Sequence, residues 1–301
     1  MMMRISQKLK RQIPLFVMVL PPCIILLVYF YGPMFGLVMA FQRFTPADGF
    51  FGSEWVGLEN FHKIFEMHDV PRVIGNTFKI ATLKIISDTL AAIVVAILLN
   101  EITNRFLKKT VQTIIFFPYF LSWVILGGVF RDVLATDGLV NILLEYIGVA
   151  PIRFLSDPAI FPWTLVATQT WQITGFGMIV FLAAIVSIDP VLYEAACIDG
   201  ACRLRQIWYI TLPGMSTTIV LMLILSMGYV LNAGFDQILN LYSPIVYETG
   251  DVIDTWVFRM GLRRAQFSIA TAFGLFRSLV SLILLTVAYY IAYKKYDYRV
   301  F

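Results

Sequence analysis

The sequence predicts an all-α transmembrane protein with six spans. Hydrophobic residues fill 59% of the 301 positions and charged residues only 14%, where a soluble domain carries about 25% charged residues. Mean hydropathy is +0.80. Six apolar runs are long enough to cross a hydrocarbon layer of about 30 Å as helices. In lipid each backbone N–H and C=O needs a partner within its own segment, which selects helices for these runs.

A basic tail, residues 1–12, carries Arg4, Lys8, Lys10 and Arg11 and precedes the first run, Ile13 to Phe41. The basic start and Val38-Met39-Ala40 resemble a cleavable leader. The apolar stretch is far longer than the ~7–15 residues of a signal core, so it is read as a retained span. The loop that follows holds His62 and His68, the only histidines, and no third ligand stands near them for a metal. The second run, Val73 to Leu99, contains Lys79, Lys84 and Asp88; Lys84 and Asp88 are four apart and read as a pair. The third runs from Val111 to Phe130 and the fourth from Ile160 to Ile188. The fifth, Pro213 to Ala233, has Tyr229, Asn232 and Asp236 near its outer end at spacings of three and four. The sixth, Ile269 to Tyr293, contains Arg277. An ionisable residue inside a span is a functional candidate. Asp236 is its candidate partner, and snorkelling to the interface is the other reading. Residues 294–301 form a short basic tail. Pro21-Pro22, Gly32-Pro33, Gly127-Gly128 and Gly175-x-Gly177 lie inside runs, where neighbouring helices can satisfy the freed backbone groups.

Lysine and arginine set the orientation. With the N-terminus inside, the short inner segments hold twelve: Arg4, Lys8, Lys10, Arg11, Arg105, Lys108, Lys109, Arg203, Arg205, Lys294, Lys295 and Arg299. The longer outer segments hold eight: Arg43, Lys63, Arg72, Arg131, Arg153, Arg259, Arg263 and Arg264. Both termini are therefore expected in the cytoplasm. Cys23, Cys197 and Cys202 are odd in number, which argues against a disulfide framework.

The most informative segment is the loop 189–212 between the fourth and fifth runs. Asp189-Pro190 is a helix start, with Asp to accept free N–H groups and Pro suited to the first turn. Gly200 ends that helix in a left-handed conformation, and Ala201 to Tyr209 reads as a second short helix. Pro213 then opens the next span.

The loop's pattern is Glu194-Ala195-Ala196, three residues, Gly200, nine residues, Ile210-x-Leu212-Pro213. It resembles the cytoplasmic coupling loop of permease subunits of bacterial ABC importers. Asn76-Thr77, Phe117 to Trp123 and Ile188-Asp189-Pro190 resemble sugar-importing permeases of this class, and the segment Gly234 to Arg264, with Tyr242-Ser243-Pro244 and Val252 to Thr255, looks like the polysaccharide-type branch of carbohydrate uptake transporter family 1. The resemblance covers roughly residues 10–295. It implies the six-helix fold of a type I importer permease, with a transmembrane domain over 13–293, in the bacterial cytoplasmic membrane. It implies a second homologous permease, two cytoplasmic ATPase subunits, an extracytoplasmic sugar-binding protein and an oligosaccharide cargo; no nucleic acid is expected. The sequence has no Gly-Lys dipeptide and so no P-loop. The chain is expected to be no enzyme and to carry no cofactor or metal, with ATP and Mg bound by the partner ATPases.

Tyr193, Glu194, Ala195, Ala196, Asp199, Gly200, Ala201 and Arg203 are the residues the resemblance assigns to ATPase coupling. Glu194 has a plainer reading as a solvated carboxylate at a helix start. Arg203 and Arg205 have one as inside-facing positive charges. For the sugar pathway the candidates are Gln169, Trp171 and Gln172, with Tyr119, Trp123, Tyr229, Asn232 and Asp236 as further members. Amides donate and accept to hydroxyls, and flat rings cover apolar sugar faces. The competing reading of the glutamines is hydrogen-bonding glue between spans. Rival functions are an importer of another cargo, an ion-driven secondary transporter and a membrane enzyme. The coupling loop would be unexplained in an ion-driven transporter, and no nucleophile–base pair or metal cluster supports an enzyme.

Overall fold

The computed structural model describes residues 2–228 and 230–296. Among the described residues, four helices are by themselves long and apolar enough to cross a membrane: Gln12–Phe41, Val70–Glu101, Phe161–Val186 and Phe267–Tyr290. Two more spans are bent pairs: Arg105–Phe120 with Trp123–Val133 at 104°, and Arg203–Gly214 with Ser216–Gly228 at 56°. Counting each pair once gives the expected six, and the protein is a multi-pass membrane protein. The chain divides into two compact units, Met1–Glu66 with Arg259–Leu275, and Met67–Phe258 with Phe276–Phe301.

In the first unit, the first span changes character along its length. It is α-helical to Leu26, turns as a π-helix over Leu27–Tyr31 and tightens into a 3-10 helix over Gly32–Phe41. Pro21, Pro22 and Pro33 lie in or beside these changes, where missing N–H groups disturb the regular ladder. A two-residue ladder then pairs Gln42 with Trp55 and Arg43 with Glu54. Asn60 Nδ2 donates to the carbonyls of Ala40 and Gln42, each at 2.9 Å. Phe41 stacks on Trp55 with ring centres 5.8 Å apart. An exposed charge cluster joins Arg43 to Glu54 at 3.1 Å and Lys63 to Glu59 at 2.5 Å. The Lys63 hydrogen bond, with Arg43 nearby, holds the Glu59 carboxyl below its usual range.

The second unit is built on the second and fourth spans. Ala92, Ile93, Ala96 and Leu99 pack with Met178, Phe181, Ala184 and Ile185, and Met215 completes that core. Close approach also fixes the third span. A Cβ on Gly175 would lie 2.5 Å from the Ile115 carbonyl oxygen and from Phe116 Cα. Only a residue without a side chain fits there.

The third run is broken in its middle. After Phe116 a 3-10 turn, Phe117–Phe120, carries Pro118. The helix restarts at Trp123, with Ser122 Oγ accepting from Ile125 N at 3.4 Å. The break frees the Leu121 carbonyl, and Gln172 Nε2 donates to it at 2.9 Å. A broken span in lipid needs such a donor from a neighbouring helix.

The fifth run is corrected at both ends. Ala201 to Tyr209 is not a separate helix, because Arg203–Gln206 continues through a π-turn, Ile207–Thr211, into Leu212–Gly214. Pro213 therefore lies inside the helix rather than at its opening. Its ring and missing N–H disrupt the i→i−4 pattern, and the π-turn directly before it relieves the crowding. At the other end the described helix stops at Gly228, and 232–234 lack regular structure.

Between the fifth and sixth spans, helices Phe235–Leu241, Tyr247–Gly250 and Ile253–Phe258 fold against the second and fourth spans. Long-range bonds anchor this segment. Asn76 Nδ2 donates to the carbonyls of Glu248 (3.0 Å) and Asp251 (3.2 Å). Ile253 N donates to Thr77 Oγ1 at 2.9 Å, and Trp256 Nε1 donates to Asp69 Oδ2 at 2.8 Å. Trp256 is fully buried.

Candidate functional site

The loop between the fourth and fifth spans is shaped by local chemistry. Asp189 caps the helix Pro190–Ile198, its Oδ1 accepting from Val191 N at 3.0 Å. The helix closes in a Schellman turn. Ala201 N donates to the Ala196 carbonyl at 2.8 Å and Gly200 N to the Cys197 carbonyl at 3.1 Å. Gly200 has φ +74, with nothing within 4 Å of a Cβ placed on it. Conformation rather than space therefore demands glycine here.

Side chains tie the two arms. Gln206 Nε2 lies 3.2 Å from Cys197 Sγ and donates to the Ala201 carbonyl at 3.2 Å. The Tyr193 hydroxyl bonds Thr211 Oγ1 at 3.0 Å. Arg203 Nη1 donates to Glu101 Oε2 at 3.1 Å, linking the loop to the end of the second span. A cleft of about 610 Å³ lies between, lined among others by Glu101, Ile185, Tyr193, Glu194, Ile198 and Arg203.

Of the residues assigned to coupling, Glu194, Ala195, Asp199, Gly200 and Arg203 are exposed. Tyr193, Ala196 and Ala201 are half-buried against the loop's own arms. The tip is apolar as well: Ile198 is 87% exposed, and Leu204, Trp208 and Tyr209 also face outward. A capped, exposed helix with small residues and an apolar tip is suited to insertion into a protein groove. Sequence reasoning missed Gln206, whose role depends on the chain returning beside Cys197, and the outward-facing Trp208 and Tyr209. The clustering of large hydrophobics beside Arg203 and Arg205 was a usable signal for the latter two.

The pathway candidates fall into separate groups. Trp171 is 50% exposed and meets Phe130 edge-on at 5.6 Å. Phe130 stacks with Trp123 at 6.2 Å. Tyr119 stacks with Phe176 at 5.0 Å and with Phe116 at 5.8 Å. Gln172 Nε2 is engaged with the Leu121 carbonyl at the break of the third span. Gln169 is half-buried near Gly234, and Asn232 and Asp236 are exposed. Tyr229 lies outside the described residues.

One expected pairing is corrected. Arg277 bonds Asp254 rather than Asp236, because the segment 234–258 folds back and brings Asp254 to the sixth span. Lys84 and Asp88 interact as charges, but their hydrogen bonds go elsewhere. Lys84 donates to the Ala233 carbonyl at 2.6 Å and to Gln237 Oε1, while Asp88 accepts from Thr170 Oγ1 at 2.7 Å. Acceptors from other elements reach both side chains.

The architecture has known counterparts. A bacterial ABC transporter involved in the import of the acidic polysaccharide alginate superposes with a TM-score of 0.88 at 37% identity, covering 97% of this chain and 99% of its own. A polygalacturonan/rhamnogalacturonan transport system permease protein of Bacillus subtilis, YteP, is 40% identical over 97% of this chain and 91% of its own length. The protein LplB of the same organism is 39% identical over 96% and 91%. Residues 88–300, which include the capped loop, match the family model described as binding-protein-dependent transport system inner membrane component. The chain belongs to that family of inner membrane transport components.

Proposed function

We propose that this chain is a permease subunit of an ATP-driven ABC importer for oligosaccharides, and that the loop 189–212 is its contact with the ATPases. The observation that carries the reading is the loop itself: a rigidly capped helix with an exposed apolar tip, tied by Arg203 to the second span. Such a knob transmits movement only if a partner holds it. The chain has no phosphate-binding loop, so ATP and Mg belong to two partner ATPase subunits on the cytoplasmic side. Both termini lie on that side.

In this reading Glu194, Ala195, Ala196 and the Ile198 tip enter a groove of the ATPase, Gly200 sets the turn, and Arg203 passes the motion to the second span. A second, homologous permease completes the pathway, and an extracytoplasmic binding protein delivers the cargo. One solved neighbour is an alginate transporter in complex with an alginate pentasaccharide-bound periplasmic protein, which supports a delivery protein and a chain-like sugar. The polygalacturonan and alginate named for the relatives make acidic oligosaccharides the first cargo to test. Trp171, Tyr119, Trp123, Asn232 and Asp236 are the pathway residues proposed to meet it, whereas Gln172 serves the packing.

ATP hydrolysis by the reconstituted assembly, screened across binding protein loaded with acidic and neutral oligosaccharides, tests the reading. Stimulation by a subset of oligosaccharides supports it; stimulation by none, together with transport driven by an ion gradient, overturns it. Thiol labelling of cysteines placed at Glu54 and Arg105 tests the orientation, with outside labelling expected at the first alone.

A further inference from the structure

A lysine buried inside a membrane span is costly unless its ammonium is fully engaged. Lys84 sits midway along the second span, 5% exposed. It donates to the carbonyl of Ala233 at 2.6 Å and to Gln237 Oε1. Gln237 is fully buried, and its Nε2 donates in turn to the Leu165 carbonyl (2.8 Å) and to Thr168 Oγ1 (2.7 Å) of the fourth span. Gly234 fits this arrangement in two ways. Its φ is +92, and a Cβ there would stand 2.7 Å from Lys84 Nζ.

The position of this cluster matters. The second arm of the 189–212 loop, Arg203–Gly214, continues into Ser216–Gly228 as the fifth span. The fifth span thus carries the loop at one end. Beyond its other end the chain leaves helical structure and reaches Ala233, where Lys84 grips a backbone carbonyl. A lever attached to an irregular turn loses its stroke unless the turn is held.

We propose that Lys84 is a positioning residue of the transport cycle: it latches the chain beyond the fifth span to the second span. Movement of the loop then reaches the pathway instead of being absorbed in residues 232–234. A lysine amine suits this task because its three donors on a flexible stem can reform bonds to carbonyl oxygens in alternative geometries. The inference rests on the importer reading above, in which loop movement drives the spans.

The test uses the full assembly with its partner permease, ATPases and binding protein, reconstituted in lipid. ATP hydrolysis is measured without and with cargo-loaded binding protein. Wild-type assembly must first show stimulation, and its failure to do so would count against the importer reading rather than the latch. Lys84→Met fills similar space without donors, and Lys84→Gln keeps a neutral donor. Both are expected to assemble and to lose at least about fivefold in the ratio of stimulated to basal hydrolysis, the methionine variant more than the glutamine. Lys84→Arg is expected to restore part of it. A ratio unchanged in Lys84→Met overturns the latch. So does failure of both variants to assemble, which would leave Lys84 a packing role, and so does a change confined to discrimination between acidic and neutral cargo, which would make it a cargo contact.

Discussion

Two segments flank the fifth span, and they are held in opposite ways. The loop 189–212 is exposed and shaped by bonds between residues close in sequence: a cap two residues long, a Schellman turn, one glycine. The segment 234–258 is largely buried and is held by partners 23 to 187 residues away. An exposed element that keeps its own shape can meet a partner without rearranging. A buried element anchored to the second and fourth spans moves only with them. The contrast fits the docking role proposed for the first and makes the second part of the frame.

Substitutions can break this contrast. Gln237→Ala should have the largest effect, because Gln237 is fully buried and its loss takes one of the two acceptors of Lys84 and the donor to two acceptors of the fourth span. A cost of roughly 2–4 kcal/mol is expected, read as a lower thermal midpoint of the purified permease pair. Gly200→Val should leave that midpoint nearly unchanged, since a Cβ there meets nothing. Its strain of about 1–3 kcal/mol falls on the turn, so ATPase co-purification and transport should fail instead. If Gly200→Val lowers the midpoint as much as Gln237→Ala, the loop is part of the frame and the contrast collapses.

Asp189→Ala removes one cap and should weaken ATPase association by about 1 kcal/mol, a few-fold in apparent affinity. Glu59→Gln should have the smallest effect. Its carboxyl is held below its usual range by Lys63 and Arg43, so the pairs are intact at neutral pH and are lost only as pH falls through that lowered value. The groups are exposed, and no measurable change in midpoint is expected at neutral pH.

The same contrast explains what was legible in the sequence. Asp189-Pro190 and Gly200 announce a helix start and stop because capping chemistry is local, and both are found as read. Six spans are legible because length and apolarity are local too. The places where the third and fifth spans bend are less legible. Pro118 and Pro213 were visible, but whether a proline bends a span depends on who satisfies the freed groups, and Gln172 donates from another helix. The hydrogen-bond partners of Lys84 and Arg277 are less legible for the same reason. Helical spacing offered Asp88 and Asp236, while folding delivered Ala233, Gln237 and Asp254 from segments far along the chain. Buried polar bonds of long sequence separation leave no periodic trace.

The proposed ATPase contact is the loop 189–212. Amide hydrogen exchange of the reconstituted permease pair, measured with and without the ATPase subunits, tests it most directly. Peptides covering Pro190–Gln206 are expected to gain strong protection when the ATPases bind, while peptides covering Phe235–Phe258 change little. Unchanged exchange over Pro190–Gln206 in a complex shown to be assembled would contradict it.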